Sequence, residues 1–220
     1  MAASPLLDGT RLLAWARHAA DELDRRRVEI NALNVFPVPD ADTGSNMAHT
    51  MAAAVEEAEA LGPGAGAEEV AEALAVGAVR GARGNSGVVL SQVMRGVAQS
   101  IAEDASEGVM VAEALGSAVG FVDRAIADPV EGTVVTVLRA AAAEAREVVE
   151  EADDPAALSL TDVAVPATDA ALVALARTPS QLPALREAGA VPIKLGPEVL
   201  RTASAAMVAL AAIGMRTERW

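Results

Sequence analysis

Apolar residues recur at three- and four-residue spacing along most of this chain, and alanine fills many of those positions. Between about Thr10 and Asn31, Leu12, Leu13, Ala16, Ala19, Ala20 and Leu23 form one stripe, with Arg11, Arg17, Asp24 and Arg25 largely off it. That is the period of a helix with one buried face. Alanine is the best helix former, so the 52% apolar fraction describes small residues on closely packed helices. Further helices are predicted over about Thr43–Leu61, Glu68–Arg80, Gly87–Glu103, Val109–Ala127 and Gly132–Glu151. Two or three more fall within Leu160–Gly214, interrupted around Pro179, Pro192 and Pro197. Breakers between them include Gly62-Pro63-Gly64-Ala65-Gly66 and Asp153-Asp154-Pro155. Strand-like runs such as Val134-Val135 are short and sit inside helical patterns. The expectation is an all-α domain of roughly eight helices, one unit over residues 1–220.

Charge and composition remove several classes of function. With 17 Lys+Arg against 31 Asp+Glu, the net charge is −14. This argues against a nucleic-acid-binding face, which needs Lys and Arg for phosphates. Trp15, Phe36, Phe121 and Trp220 are the aromatics, with no Tyr, so a base-stacking platform is not expected. The absence of Cys excludes disulfides, thiolate-bound zinc and a thiol nucleophile, and fits a cytoplasmic protein. The apolar run Ala203–Ile213 is shorter than the roughly 20 residues a membrane span requires. The first residues, MAASPLLDGTR, lack the basic and apolar regions of a signal peptide.

Three segments depart from the alanine-rich pattern. In the first, Asn31 to Asn46, Pro37 and Pro39 forbid helix and hold the chain extended. Asp40 and Asp42 can then reach one hard cation if the chain turns between them, and Mg²⁺ suits such oxygens. Thr43 or Asp42 is placed to cap the next helix, and Gly44, Ser45 and Asn46 fall in its first turn, where free N–H groups attract anions. The same residues also read as an Asp-rich turn and N-cap. A calcium loop does not fit, because Ser45 and Met51 stand where Gly and Glu are needed.

The second segment, Gly81-Ala-Arg-Gly-Asn-Ser-Gly87, joins two helices with glycines that permit positive φ and close approach of a ligand. Asn85 and Ser86 add polar side chains, as in a phosphate cradle. A helix C-cap followed by an N-cap describes it equally well, and no Lys follows as a Walker loop would require. In the third segment, Asp128 to Val137, Pro129 stops one helix, Gly132 and Thr133 open another, and Thr136 sits a turn later. Alone this reads as a helix start.

In order, Asn34-Val-Phe-Pro-Val-Pro-Asp-Ala-Asp-Thr-Gly-Ser-Asn-Met47, Gly81-Ala-Arg-Gly-Asn-Ser-Gly-Val-Val-Leu-Ser-Gln92 and Glu131-Gly-Thr-Val-Val-Thr-Val137 closely resemble the nucleotide-binding domain of the dihydroxyacetone kinase L-type family. Within it they resemble the N-terminal ATP-binding domain of the bacterial fatty acid kinase subunit, as do Arg177-Thr-Pro and Leu182 to Ala190. The resemblance implies an eight-helix antiparallel barrel or bundle, with ATP and Mg²⁺ bound in interhelix loops at one end. It implies transfer of the γ-phosphoryl group to a substrate on a separate protein: a fatty-acid-binding carrier in one branch, a triose carrier in the other. Asp40 and Asp42 match the metal-binding, catalytic aspartates, and Asn34 is the nearest candidate for a third metal ligand. Thr43, Gly44 and Asn46 match positions around the phosphates, Asn85, Ser86 and Gly87 the phosphate loop, and Glu131, Gly132 and Thr133 a segment bordering the nucleotide. No covalent phosphoenzyme is expected, and neither His18 nor His49 is placed as a base. A homodimer is left open.

Three features depart from the family pattern. Ala41 replaces the Gly of an Asp-Gly-Asp, at a cost of about 1 kcal/mol if positive φ is required there. Pro192-Ile-Lys-Leu-Gly-Pro197 stands in place of a polar, glycine-rich closure over the nucleotide, with Lys194 as a stand-in charge. The chain ends at Trp220, whereas the fatty acid kinase subunit continues beyond this domain. These departures keep a non-catalytic, regulatory nucleotide-binding domain in view. A dihydroxyacetone kinase phosphotransfer subunit is disfavoured by the Val-Phe-Pro-Val-Pro insertion before Asp40. At net charge −14 the protein repels ATP at long range, so nucleotide binding is expected to depend on the metal.

Overall fold

Helix boundaries in this protein are set by a few caps and glycines. The computed structural model describes residues 8–34, 36, 39–101 and 105–182. Asp8 accepts the Arg11 N–H and opens α1, Gly9–Arg25; α2 follows as Arg27–Ala32. Then come α3 (Thr43–Glu59), α4 (Ala67–Gly81), α5 (Gly84–Ser100), α6 (Glu107–Ala125) and α7 (Val134–Glu151). A 3₁₀ turn, Pro155–Ala157, leads into α8 (Leu160–Gln181). The described residues contain these eight α-helices and no strand, so the all-α bundle is observed.

Four boundaries differ from the sequence reading. The helix expected over Gly87–Glu103 runs from Gly84 to Ser100, so Asn85 and Ser86 lie in its first turn rather than in a connecting loop. The helix expected over Thr10–Asn31 is two helices, because Arg26 adopts φ −94°, ψ 2°, outside the helical region. Beyond that step Ile30 stays buried while Val28 turns outward. The helix expected from Gly132 starts at Val134, because Gly132 has φ +81° and Thr133 takes the N-cap. The expected interruption at Pro179 does not occur, and α8 continues to Gln181. Pro179 lacks the N–H that would bond the Leu175 carbonyl. The Thr178 hydroxyl donates to that carbonyl instead, at 2.9 Å. The helices expected after Leu182, the Pro192–Pro197 stretch with Lys194, and the run Ala203–Ile213 lie outside the described residues.

Two apolar clusters share one helix. Leu12, Leu23, Met47, Met51 and Leu74 lie in the cluster under α1–α4. Val111, Leu115, Val122, Leu138 and Val163 lie in the cluster between α6, α7 and α8. α5 enters both: Leu90 and Met94 pack into the first, Val89 and Val93 into the second. Trp15 touches both clusters, and its indole N–H is buried without a hydrogen-bond partner among the described residues. No helix among the described residues is long and apolar enough to cross a membrane.

Glycine sets the spacing of neighbouring helices. A Cβ at Gly96 of α5 would stand 2.4 Å from the Ala114 carbonyl oxygen of α6, and one at Gly77 of α4 would stand 2.5 Å from the Ala53 carbonyl oxygen of α3. Gly116, on α6, faces open space. Gly96→Ala is therefore expected to destabilise by about 1–3 kcal/mol through overpacking. Gly116→Ala is expected to stabilise by about 0.5–1 kcal/mol through helix propensity. Urea titration of the two variants beside the parent checks both signs.

Candidate functional site

The N-termini of α3, α5 and α7 and the C-terminal end of α8 converge on one cavity of about 510 Å³. Exposed N–H groups and the helix dipole make each N-terminus attractive to anions. Asp40, Asp42, Thr43, Asn46, Asn85 and Ser86 form the polar side of the wall. Val89, Val93, Val135, Leu175 and Leu182 form an apolar side. The volume is in the range of small-molecule sites, and the lining has their usual composition of apolar surface with a few polar groups.

The loop before α3 turns at Ala41, which has φ +56°. That turn brings Asp40 and Asp42 onto the same wall. Asp40 Oδ1 accepts a hydrogen bond from Asn34 Nδ2 at 2.6 Å, so Asn34 orients this carboxylate. Asp42 stands at the N-cap of α3, yet its side chain makes no capping hydrogen bond. The capping expected of Asp42 or Thr43 is supplied by Asn31 of α2. Its Oδ1 accepts the Ser45 N–H at 3.1 Å, and its Nδ2 donates to Ser45 Oγ at 2.9 Å. Sequence reasoning missed Asn31, because only tertiary packing shows that α2 lies across the start of α3. The consequence is chemical: the Asp42 carboxylate has no hydrogen bond or ion pair among the described residues and faces the cavity.

Gly44 and Gly87 do not lie on the cavity wall. A Cβ at Gly44 would stand 2.4 Å from the Arg27 carbonyl oxygen, so this glycine lets α2 approach α3. A Cβ at Gly87 would stand 2.6 Å from Thr50 Oγ1, so it lets α5 approach α3. Gly84 does line the cavity; it has φ +59°, and a Cβ there would stand 2.5 Å from Asn46 Nδ2. The first turns of α3 and α5 are thereby clamped together, and Ser86 Oγ reaches the Thr43 carbonyl at 3.5 Å.

The third segment forms the opposite wall. Thr133 caps α7: its hydroxyl accepts the Val135 N–H at 3.3 Å and donates to the Val130 carbonyl at 2.7 Å. A Cβ at Gly132 would stand 2.7 Å from the Leu182 backbone nitrogen, so this turn seats directly on the end of α8. Glu131 turns away to Arg139 at 3.0 Å, and Arg139 also holds Asp123 at 2.7 Å. His18 and His49 are exposed and neither lines the cavity.

No group of three or more His, Cys, Asp or Glu side chains is arranged for a metal ion among the described residues. Three carboxylates line the cavity, Asp40, Asp42 and, from the third segment, Asp128; Asp40 and Asp42 with the amide of Asn34 make up the candidate ligand set. This set suits Mg²⁺, which takes one or two protein carboxylates and completes its shell with water and ligand phosphates. It does not suit a metal that needs a full cage of protein ligands.

The fold and cavity define an all-α domain in which three helix N-termini face one pocket. The model of the DAK2 domain matches residues 37–194, and the chain belongs to this family, the L-type dihydroxyacetone kinase family. The family is kinase-related, and in dihydroxyacetone kinase this domain binds adenine nucleotide. A second model, the RNA methyltransferase domain, matches residues 178–214, most of them outside the described residues. The Pro192–Pro197 departure lies in that stretch, around the end of the first match. Protein YloV of Bacillus subtilis is 39% identical over 186 residues, covering 84% of this chain and 32% of the relative. An uncharacterized protein of Staphylococcus saprophyticus is 37% identical over 187 residues, covering 84% of this chain and 33% of its own length. One from Staphylococcus epidermidis is 38% identical over 174 residues, covering 78% and 30%. The chain thus spans about a third of the length of the curated relatives it matches.

Ala41 carries a testable cost. An alanine at positive φ is strained where glycine is not. Ala41→Gly is expected to stabilise the chain by about 0.5–1 kcal/mol. Chemical denaturation checks this, and Ala52→Gly, at an exposed position inside α3, should move stability the other way by about 1 kcal/mol.

Proposed function

We propose that the chain is an ATP- and Mg²⁺-dependent phosphotransfer domain of the fatty acid kinase type. It passes the γ-phosphoryl group of ATP to a fatty acid held by a separate carrier protein. One observation carries the reading: Asp40 and an uncapped Asp42 share a cavity wall with the first turns of α3 and α5. Asp40 and Asp42 would hold Mg²⁺, with Asn34 fixing the first of them. Bound there, the ion would supply charge neutralisation on the phosphate oxygens. Thr43, Asn46, Asn85 and Ser86 would orient the phosphates, and the apolar wall would exclude water from the nucleotide. Thr133 shapes the opposite wall through its cap. Gly44 and Gly87 contribute by the close helix packing that brings these groups together. Phosphoryl transfer asks chiefly for such positioning and charge compensation.

The fatty acid, its carrier and the acyl phosphate product belong to this proposal, which rests for them on the resemblance of the three motifs. A second reading, a nucleotide-binding domain without turnover, is favoured by the strained Ala41.

Calorimetric titration with ATP should show binding in Mg²⁺ and a loss of at least about tenfold in affinity in EDTA. Asp40→Asn and Asp42→Asn should each remove the metal dependence while leaving the helical circular dichroism unchanged. Equal ATP affinity in EDTA, or unchanged binding in both variants, overturns the metal assignment. Acyl phosphate trapped as a hydroxamate with a fatty-acid carrier present establishes transfer. Mg²⁺-dependent binding without that product supports the second reading.

A further inference from the structure

Arg95 on α5 and Arg124 on α6 both lie over the ring of Phe121, 4.1 and 4.9 Å from its centroid. Arg95 is pinned further: its Nη1 donates to Gln92 Oε1 at 2.7 Å, and the buried Gln92 amide donates to Ser91 Oγ at 3.0 Å. In this chain of net charge −14, arginines generally find a carboxylate. Arg17 meets Glu59, Arg25 meets Glu22, Arg80 meets Glu57 and Arg139 meets Asp123. Arg95 and Arg124 form no ion pair among the described residues. Two guanidinium groups thus share one ring, with no carboxylate paired to either among the described residues.

Arg95 also walls a shallow hollow of about 370 Å³ between α4 and α5. Ala75, Val76, Val79 and Ala98 give that hollow an apolar lining, and Val79 is 47% exposed. Glu72 and Arg80 complete the rim, with Arg80 already occupied by Glu57. On α5, at 100° per residue, Arg95 and Ala98 fall on the flank opposite Val89 and Val93, which line the cavity.

We propose that this outer face of α4, α5 and α6 docks an acidic amphipathic helix of a partner protein. Aliphatic side chains of the partner seat in the hollow beside Val79, as in helix-in-groove recognition. Carboxylates spaced a turn apart on the same helix meet Arg95 and Arg124. The ring and Gln92 hold the Arg95 guanidinium in place beforehand, which lowers the entropy lost on pairing. Glu72 repels carboxylates from the far rim and so sets the direction in which the partner lies. An anionic membrane surface fits less well, because it calls for a broad Lys/Arg cluster and this face offers two unpaired cations. Docking here leaves the nucleotide cavity open, so the proposal stands independently of the kinase reading.

The test uses the full chain and a fluorescein-labelled synthetic helix with leucines on one face flanked by glutamates, followed by anisotropy. Two controls accompany it: the same peptide with lysine for each glutamate, and phosphatidylglycerol vesicles. The glutamate peptide should bind in a salt-sensitive way and the lysine peptide should not. The Arg95→Gln/Arg124→Gln double variant and, separately, Val79→Asp should each weaken binding about tenfold or more. Thermal melts check that the variants fold; Val79→Asp, a surface change, carries the test if the double variant does not. Failure of the glutamate peptide to bind, equal binding by folded variants, or Arg95-dependent binding to vesicles in place of the peptide overturns the proposal.

Discussion

Backbone-to-backbone contact between helices is the constraint on which this structure rests. At Gly77 and Gly96 no side chain stands between neighbouring helices, and a single added carbon would strike the carbonyl of the facing chain. Alanine continues the same spacing through the cores, where Ala54, Ala58, Ala78 and Ala118 are almost fully buried. Such packing gives little burial per residue but draws helix axes close and holds their ends in register. The cavity depends on that register. Gly44 seats α2 on α3, Gly87 seats α5 on α3, and Gly84 rests on the amide of Asn46. Only then do the polar first turns of α3 and α5 stand side by side.

The division of labour around α3 follows from this closeness. An aspartate at an N-cap ordinarily satisfies the first turn of its own helix. Here Asn31 reaches across from α2 to do so, and Asp42 is left facing the cavity. Ala41 holds a backbone conformation that alanine disfavours, in the short turn that joins the two carboxylates. Strain at such a point persists when the surroundings over-determine the fold, and it collects at functional sites. At net charge −14 the overall field opposes any anion, so an anion held at this wall would depend on the local helix dipoles and on a cation at the carboxylates.

Most of the helical architecture was legible because 3.6-residue periodicity and the Gly/Pro breaks are local signals. α3, α4, α6 and α7 start or end within a few residues of where periodicity puts them. What escaped were features decided by contacts between distant residues. The step at Arg26 interrupts an otherwise even stripe. Pro179 reads as a breaker, but the neighbouring Thr178 hydroxyl takes up the carbonyl that proline leaves. At the site, Asp40, Asp42, Asn46, Asn85 and Ser86 stood out in the sequence as polar breaks in an alanine-rich pattern, and the structure brings them to one cavity. The role of Asn31, and the packing role of Gly44 and Gly87, were not legible, because a glycine that admits a ligand and one that admits a neighbouring helix look alike in sequence.

α5 has a further consequence. Its first turn forms part of the cavity, and its next two turns supply side chains to both apolar clusters. Displacing α5 would expose both clusters at once, so α5 couples the packing of the two halves. A ligand held at the first turn of α5 would therefore slow opening throughout the bundle rather than only near the pocket. In hydrogen-exchange language, the shared helix spreads protection gained at one end of the molecule across amides that never meet the ligand.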